Sequence, residues 1–269
     1  MRTRAFFSVS SRQPVPHCCE TPVKLALLAD LHSNIEAVDA CIEHARQQRV
    51  ERFVFLGDLV GYNADPAAVI ERVREHVCSG AVVVKGNHDA AAAGDSADWM
   101  NPPAATAIRW TRTQLTADQT AFLANLPLLV REEDRLFVHG SAASPQRWGY
   151  VYDSLAAAAS MDATDAAYIF CGHVHEAALY YQGSDRRPQR FEPVPGMPIP
   201  VGRHRRWLSI VGACGQPRDG HSAAGYALFD TELAMLTYHR VPYDYEAAAR
   251  KVRAAGLPEE FARRLETGA

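Results

Sequence analysis

The sequence predicts an α/β domain whose first three strands are parallel and joined by helices. Apolar runs of strand length occupy residues 23–29, 52–56 and 81–84. The segments between these runs carry apolar residues at the spacing of a helix, and polar residues follow each run. This βαβαβ order leaves loops at the carboxyl ends of the strands, where folds of this class bind ligands.

The helices that connect these strands have recognisable starts. Ser33 and Glu36 form the pattern of a capping box, and Asp65 followed by Pro66 caps and opens the next helix. The apolar residues of the first helix are Ile35, Val38, Ile42 and Ala45. Those of the second helix are Val69, Ile70, Val73 and Val77.

The rest of the chain predicts more helices and strands. Residues 104–125 predict two helices that form a lid or a flank, the second opened by a capping box of Thr116 and Gln119. Later apolar runs are closely spaced, which favours antiparallel pairing. Beyond Pro242 the pattern predicts an amphipathic helix. The predicted later strands lie at residues 136–138, 167–171, 207–211, 226–230 and 235–241.

Composition narrows the possible partners. The chain has 269 residues, of which 48% are hydrophobic, so we expect a single domain over residues 23–269. A formal charge of −3 gives no general attraction to nucleic acid or anionic membranes, and no apolar run is long enough to predict a membrane span. Any anionic substrate must therefore be held by local groups, and we expect no stable nucleic-acid complex.

The cysteines and the N-terminus bear on location. Six cysteines occur without CxxC spacing, which favours reduced thiols and a cytoplasmic protein. Residues 1–22 have too weak an apolar patch for a secretory signal, so we expect a disordered extension or an upstream start codon.

Metal-ligating residue types follow five of the predicted strands. A lone Asp-x-His or His-x-His pair is usually a cap or a surface feature, but five such loops in sequence predict a site for Mn²⁺, Fe²⁺ or Zn²⁺. The residues in question are Asp30 and His32, then Asp58, then Asn87, His88 and Asp89, then His139, and finally His173 and His175.

The motifs DLH, GD, GNHD, HG and GHVH, in this order, resemble the motif set of the calcineurin-like metallophosphoesterase superfamily. The resemblance covers about residues 23–245. The stretches GDLVGYNADP and GACGQPRDG, and GYALFD before RVPYDYEAAARKVRAAGLP, resemble the bacterial branch labelled YfcE-like or diadenosine-tetraphosphatase-like. The resemblance implies a four-layer α-β-β-α sandwich of two mixed sheets flanked by helices.

The resemblance also implies the roles of the site residues. His88 would face the phosphate and protonate the leaving oxygen, with Asp89 holding its imidazole in the correct tautomer. Two divalent ions, with manganese favoured over iron or zinc, would activate a bridging hydroxide. One ion would be held by Asp30, His32, Asp58 and His175. The other would be held by Asp58, Asn87, His139 and His173.

Two departures from related sequences matter. The GDxVDRG motif of the phosphoprotein phosphatases is replaced by GDLVGYN, so its phosphate-clamping arginine is absent. The related bacterial sequences read NPGSVGQPRDG where this chain has Ile210 in place of the asparagine. Arg218 of this stretch either contacts phosphate or braces a turn.

Three functions remain open. The resemblance favours a phosphoesterase acting on small phosphodiesters or nucleotides, dinucleoside polyphosphates included. The alternatives are a phosphomonoesterase or protein phosphatase, and a non-catalytic scaffold that binds protein, although a scaffold would be expected to have lost ligands. Trp148 and Tyr150 either stack on a base or pack in the core or at the rim, and core or rim packing is favoured. Six arginines lie close together in one proline-rich stretch, which is interpreted as a solvated hairpin in preference to a nucleotide site. They are Arg186, Arg187, Arg190, Arg203, Arg205 and Arg206.

Overall fold

Two six-stranded sheets form the centre of the computed structural model, which describes residues 23–184 and 186–269. The extension expected over residues 1–22 lies outside the described residues. The strands are β1 (Lys24–Leu28), β2 (Arg52–Phe55), β3 (Val82–Val83), β4 (Leu129–Glu132), β5 (Arg135–Val138), β6 (Tyr168–Cys171), β7 (Ala178–Gln182), β8 (Pro188–Phe191), β9 (Ile199–Pro200), β10 (Arg206–Ile210), β11 (Ala224–Asp230) and β12 (Met235–Val241).

Helices cover both outer faces of the two sheets. They are α1 (Ile35–Gln47), α2 (Pro66–Val77), α3 (Asn87–Ala93), α4 (Pro102–Gln114), α5 (Ala117–Asn125), α6 (Ser154–Asp162), α7 (Tyr245–Ala254) and α8 (Glu259–Thr267). None of these helices has the length and apolar content that crossing a bilayer requires.

Both sheets are mixed. The first has the order β3-β2-β1-β11-β12-β9, in which β1, β2 and β3 are parallel and β11 runs antiparallel to β1. The second has the order β4-β5-β6-β10-β7-β8, in which β5, β6 and β10 are parallel. The antiparallel pairing expected for the later strands is correct for β11 and β12, but β10 is parallel to β6.

The hydrophobic cores lie between the layers. Leu27 and Val54 of the first sheet share one buried cluster with Phe137 and Phe170 of the second. On the outer face of the first sheet, Val38 of α1 and its neighbours form a second cluster with α2, and on the outer face of the second sheet α6 packs through Ala157 and Met161. The predicted four-layer sandwich is confirmed.

Local details differ from the sequence expectations for physical reasons. Asn34, not Ser33, caps α1, because its side chain accepts the Ala37 N–H at 3.2 Å, whereas Ser33 belongs to the preceding loop. The C-terminal segment forms two helices, since Gly256 adopts a positive φ of 68° and Pro258 starts α8. Strands β4, β7, β8 and β9 were not predicted. β4, β8 and β9 are short strands at sheet edges, and β4 alternates exposed and half-buried residues, whereas β7 lies between β10 and β8 and is mostly buried.

Candidate metal centre

The predicted ligands meet at one rim of the sandwich, beyond the carboxyl ends of parallel strands from both sheets. β1, β2 and β3 lead into one set of loops, and β5 and β6 lead into the other. All seven are buried, with no more than 4% of any residue exposed. They are Asp30, His32, Asp58, Asn87, His139, His173 and His175.

The loops hold several of these residues in an unusual backbone conformation. Non-glycine residues seldom adopt positive φ, and such strain persists only where the surroundings enforce it. The backbone N–H of Asp30 donates to the Gly57 carbonyl at 3.1 Å, and that of His32 donates to the Asp58 carbonyl at 2.9 Å. Five of the seven predicted ligands have positive φ: Asp30, His32, Asp58, His173 and His175.

Two glycines allow the loops to approach each other. A Cβ at Gly86 would lie 2.1 Å from Oδ1 of Asp58, and a Cβ at Gly61 would lie 2.3 Å from Nδ1 of His88. Neither distance is possible between real atoms, so any side chain at these positions would push Asp58 or His88 out of place.

Asp30, His32 and His175 form what we call the acidic ligand group. Nδ1 of His32 donates to the Val60 carbonyl at 3.0 Å, and Nδ1 of His175 donates to the Gln216 carbonyl at 2.6 Å. Burial lowers the pKa of both histidines well below the usual value, so both are neutral. Their Nε2 atoms therefore carry lone pairs, and these atoms face each other at 3.2 Å.

Asn87, His139 and His173 form the neutral ligand group. Nδ1 of His139 donates to the Leu56 carbonyl at 2.7 Å, and Nε2 of His173 donates to the Trp148 carbonyl at 2.9 Å. The remaining ring nitrogens, Nε2 of His139 and Nδ1 of His173, lie 3.0 Å apart. Oδ1 of Asn87 lies 3.0 Å from the same His139 atom.

Asp58 lies between the two groups. Its Oδ1 accepts the backbone N–H of His88 at 2.8 Å. Its Oδ2 is 3.6 Å from Nε2 of His32 and 3.3 Å from Nε2 of His139. One oxygen is thus held by the backbone, while the other is shared by both ligand groups.

The geometry fits divalent cations. Two ligand atoms that are each about 2.1 Å from one ion and at right angles are about 3.0 Å apart, close to the separations within each group. Facing lone pairs at such distances repel each other unless a positive charge lies between them. Among the described residues, three sets of ligand atoms lie within 4.8 Å of one another: Asp30, His32 and His175; His32, Asp58 and His88; Asp58, His139 and His173.

A proton and a metal ion would compete for His139. Burial lowers its pKa, but the neighbouring Asp58 carboxylate outweighs burial and raises the pKa to about 9. The site therefore favours a positive charge at Nε2 of His139, and a cation bound there would take the place of the proton.

His88 and Asp89 follow Asn87 at the start of α3, but the expected contact between them does not form. Oδ1 of Asp89 accepts the N–H groups of Leu59 and Val60 at 2.8 and 3.2 Å, and Oδ2 accepts that of Gly86 at 2.9 Å. Nδ1 of His88 has no hydrogen-bond partner among the described residues. Asp89 therefore ties the Asp58 loop to α3 and does not set the tautomer of His88.

Tyr62 and Arg264 were not predicted from the sequence. The Tyr62 ring lies 4.4 Å from the His88 ring and 4.5 Å from the His32 ring. Arg218, predicted as a substrate contact or a turn brace, donates to the Tyr62 hydroxyl at 3.3 Å and to Oε1 of Gln216 at 3.1 Å. Arg264 of α8 donates to the same Gln216 oxygen at 3.4 Å. The sequence signal that could have indicated Tyr62 was its position in the loop that carries Asp58.

The other predicted aromatic residues also reach the site, but the arginine-rich stretch does not. Tyr150 stacks on the ring of His173 at 3.9 Å, and Trp148 contacts that histidine through its carbonyl. Arg206 donates to three backbone carbonyls, and Arg203 pairs with Asp134 at 3.2 Å. These arginines brace different parts of the second sheet and do not converge on one ligand.

Comparisons with known proteins agree with this geometry. The sequence model of the calcineurin-like phosphoesterase superfamily domain matches residues 23–234. An uncharacterized protein of Methanocaldococcus jannaschii is 30% identical over 254 residues, covering 91% of this chain and 98% of that protein. The crystal structure of a metallophosphoesterase from Sphaerobacter thermophilus is similar with a TM-score of 0.82 at 34% identity, covering 93% of this chain and 100% of that chain.

A hypothetical protein from Pyrococcus horikoshii shares the fold with a TM-score of 0.75 at 18% identity, covering 92% of this chain and 99% of that chain. The sequence model and the curated relative span most of this chain, and together with the converging ligand groups they identify its family. The chain belongs to the calcineurin-like phosphoesterase superfamily, a group of phosphoester hydrolases that use divalent metal ions.

Proposed function

We propose that the protein is a dinuclear metal-dependent phosphoesterase that hydrolyses small phosphodiesters or nucleotides, dinucleoside polyphosphates included. The observation that carries this proposal is the position of Asp58, whose Oδ2 atom lies within 3.6 Å of one ligand group and 3.3 Å of the other. A carboxylate oxygen shared in this way suits two neighbouring cations. The proposal treats residues 23–269 as one domain, because both sheets contribute to one buried cluster.

The chain contributes a desolvated site for cations. When bound, two divalent ions would activate water as a nucleophile and neutralise charge on the phosphoryl oxygens. The carboxylates of Asp30 and Asp58 offset only part of that charge, since Asn87 offers a neutral oxygen. The remaining positive charge favours an anionic substrate.

His88 is the candidate proton donor. Burial lowers its pKa to about 4, so the ring is neutral near pH 7, and a phosphate anion bound beside it would raise this pKa and favour the imidazolium form that protonates the leaving oxygen. Its ring lies 4.8 Å from that of His32, close enough to the acidic ligand group for the N–H to donate to a phosphoryl or leaving oxygen. Tyr62 packs on the same ring and keeps it from turning away.

Arg218 and Arg264 are candidate phosphate contacts. Both are half-buried, both donate to Oε1 of Gln216, and no carboxylate pairs with either of them within the described residues. Two neighbouring guanidinium groups without a counter-ion favour binding of an anion. This pair takes the place of the clamping arginine that the GDLVGYN sequence lacks.

The test is Mn²⁺-dependent hydrolysis of a phosphodiester, a phosphomonoester and a dinucleoside tetraphosphate by one preparation. We expect the diester or the dinucleotide to be hydrolysed, and Asp58→Asn to lose about three orders of magnitude or more in kcat together with both ions. Asp118→Asn, which removes an exposed carboxylate on α5, is the matched control and should behave as wild type.

Two outcomes would contradict the proposal. Hydrolysis of the monoester alone would favour the phosphomonoesterase alternative. A single bound ion per wild-type chain, measured by elemental analysis, would exclude the dinuclear site.

A further inference from the structure

A large cavity opens beside the neutral ligand group. We call it the aromatic pocket: Trp99 lies on one side and residues 146–150 lie on the other, with His173 also in its lining. Its volume is about 810 Å³. Cavities of about 300–1,000 Å³ hold ligands of the size of a small drug molecule, so a nucleoside fits.

Exposed aromatic rings cluster around this pocket. Within residues 23–184 and 186–269 the exposed aromatic side chains are Trp99, Tyr150, Tyr152 and Phe191. Trp99 lines the pocket and is 56% exposed, Tyr150 lines it and is 45% exposed, and Tyr152 stacks on Tyr150 at 4.9 Å. Tyr150 stacks on both His173 and Tyr152, so of the two exposed rings in the lining it is Trp99 that offers a face to a ligand.

Hydrogen bonds and stacking hold the walls in place. The indole N–H of Trp99 donates to the Ser96 carbonyl at 2.8 Å. Arg112 of α4 ties the same segment down by donating to the carbonyls of Ala91 and Asp95 at 3.0 and 2.7 Å. On the other side, Tyr150 lies nearly parallel to the His173 ring, with 14° between their planes. Rings fixed in this way lose little freedom when a flat ligand binds.

An exposed cation lies in the same lining. Arg147 is exposed, and no hydrogen bond or ion pair engages its guanidinium group within the part of the chain that the structure describes. A planar guanidinium group stacks on aromatic surfaces and donates to phosphate or carbonyl oxygens.

We propose that the aromatic pocket binds the nucleobase of a nucleotide substrate whose scissile phosphate lies at the metal centre. The proposal rests on the proposed phosphoesterase function and narrows it to substrates that carry a nucleoside. The pocket is continuous with the site, because His173 belongs both to its lining and to the neutral ligand group. Stacking tolerates any base, so we expect little discrimination between purines and pyrimidines.

The test compares two substrates with the same leaving group: the p-nitrophenyl ester of thymidine monophosphate and the same ester of an abasic deoxyribose phosphate. We expect kcat/KM to be about tenfold higher for the thymidine ester, as stacking of one base on an aromatic side chain predicts. Trp99→Ala should remove this preference, and Trp99→Phe should keep most of it. Phe191→Ala removes an exposed ring on β8, outside the pocket, and should leave the preference unchanged.

A binding measurement separates this proposal from the proposed function. In the His88→Asn background, where turnover is slow, calorimetry should show that thymidine monophosphate binds about tenfold more tightly than deoxyribose phosphate, and that Trp99→Ala removes the difference. If no ester is hydrolysed but this difference is found, only the proposed catalytic function fails.

Two results would overturn the nucleobase proposal. One is equal kcat/KM for the two esters in the wild type, with equal binding of the two ligands. The other is a preference for the thymidine ester that survives Trp99→Ala. If this variant also lowers kcat/KM for both esters by the same factor, the nitrophenyl ring, and not the base, occupies the pocket.

Discussion

The acidic and neutral ligand groups share Asp58 but differ in charge and surroundings. The acidic group has a carboxylate of its own, Asp30, and lies against Tyr62. The neutral group offers only an amide oxygen beside its two histidines and borders the aromatic pocket through His173. An added carboxylate binds a cation more tightly, whereas an open neighbourhood lets ligands exchange. We therefore expect a firmly held ion in the acidic group and a more exchangeable ion, closer to the substrate, in the neutral group.

The two ligand groups are nevertheless linked by hydrogen bonds. Both oxygens of Asp30 accept the backbone N–H of His173, at 3.1 and 3.0 Å. Burial raises the pKa of Asp30 to about 7, so its ionised form depends on nearby positive charge. An ion in the acidic group thus also stabilises the loop that carries the neutral group.

Apart from Asp58→Asn, which removes the carboxylate that both groups share, the largest expected effect comes from His88, which belongs to neither ligand group. His88→Asn should lower kcat by about 10²–10⁴-fold, the usual contribution of a general acid, while both ions stay bound. Kinetics with parallel elemental analysis would check this. Loss of an ion in the variant would instead make His88 a ligand, as its proximity to His32 and Asp58 allows.

Asp30→Asn should reduce the difference between the two ligand groups, because it removes the carboxylate of the acidic group. We expect one ion to bind about 10–100-fold more weakly, and kcat/KM at limiting Mn²⁺ to fall by a similar factor. Titration of the metal-free protein with Mn²⁺ measures both. Equal weakening of the two ions would show that Asp30 supports the fold of the rim and not one ion.

Substitution of Arg218, the cationic neighbour of the acidic group, tests whether its guanidinium group binds the substrate. Arg218→Ala should raise KM about tenfold with little change in kcat, because a charge-assisted hydrogen bond to the substrate is lost. Arg218→Lys should recover only part of the loss, since lysine cannot reproduce the planar fork. An unchanged KM in Arg218→Ala, with a lower melting temperature, would assign the arginine to bracing the turn.

Asn87→Asp should produce the smallest effect by giving the neutral group its own carboxylate. The added charge should tighten the weaker ion by about fivefold or more. It should also raise KM for an anionic substrate, because it cancels positive charge at the site. Competition with a chelator would report the affinity of the weaker ion and its rate of release. An unchanged rate of metal release would contradict the proposed role of ligand charge.

The sequence was most informative where a motif follows a parallel strand. Asp30, Asp58 and His139 each lie within three residues after such a strand, so their positions at strand ends were enough to predict that they converge. It was least informative about which groups the side chains would contact. Asp89 was expected to hold His88, yet three backbone N–H groups lie within its reach and take both of its oxygens. A carboxylate binds whichever donors surround it, and two of these three donors, Leu59 and Val60, come from a loop about 30 residues away in sequence.

By itself the sequence determined the kind of chemistry: the ligand types, their order along the chain and the strands that present them. These follow from local patterns, because hydrophobic periodicity and turn residues act over a few positions. Only the tertiary structure decided how the groups pair. It placed His173 on Asp30 across the two sheets, directed the ring nitrogens inward through bonds to backbone carbonyls, and brought Arg264 of the last helix beside Arg218. Such contacts join residues far apart in the chain, so their geometry depends on how the two sheets pack.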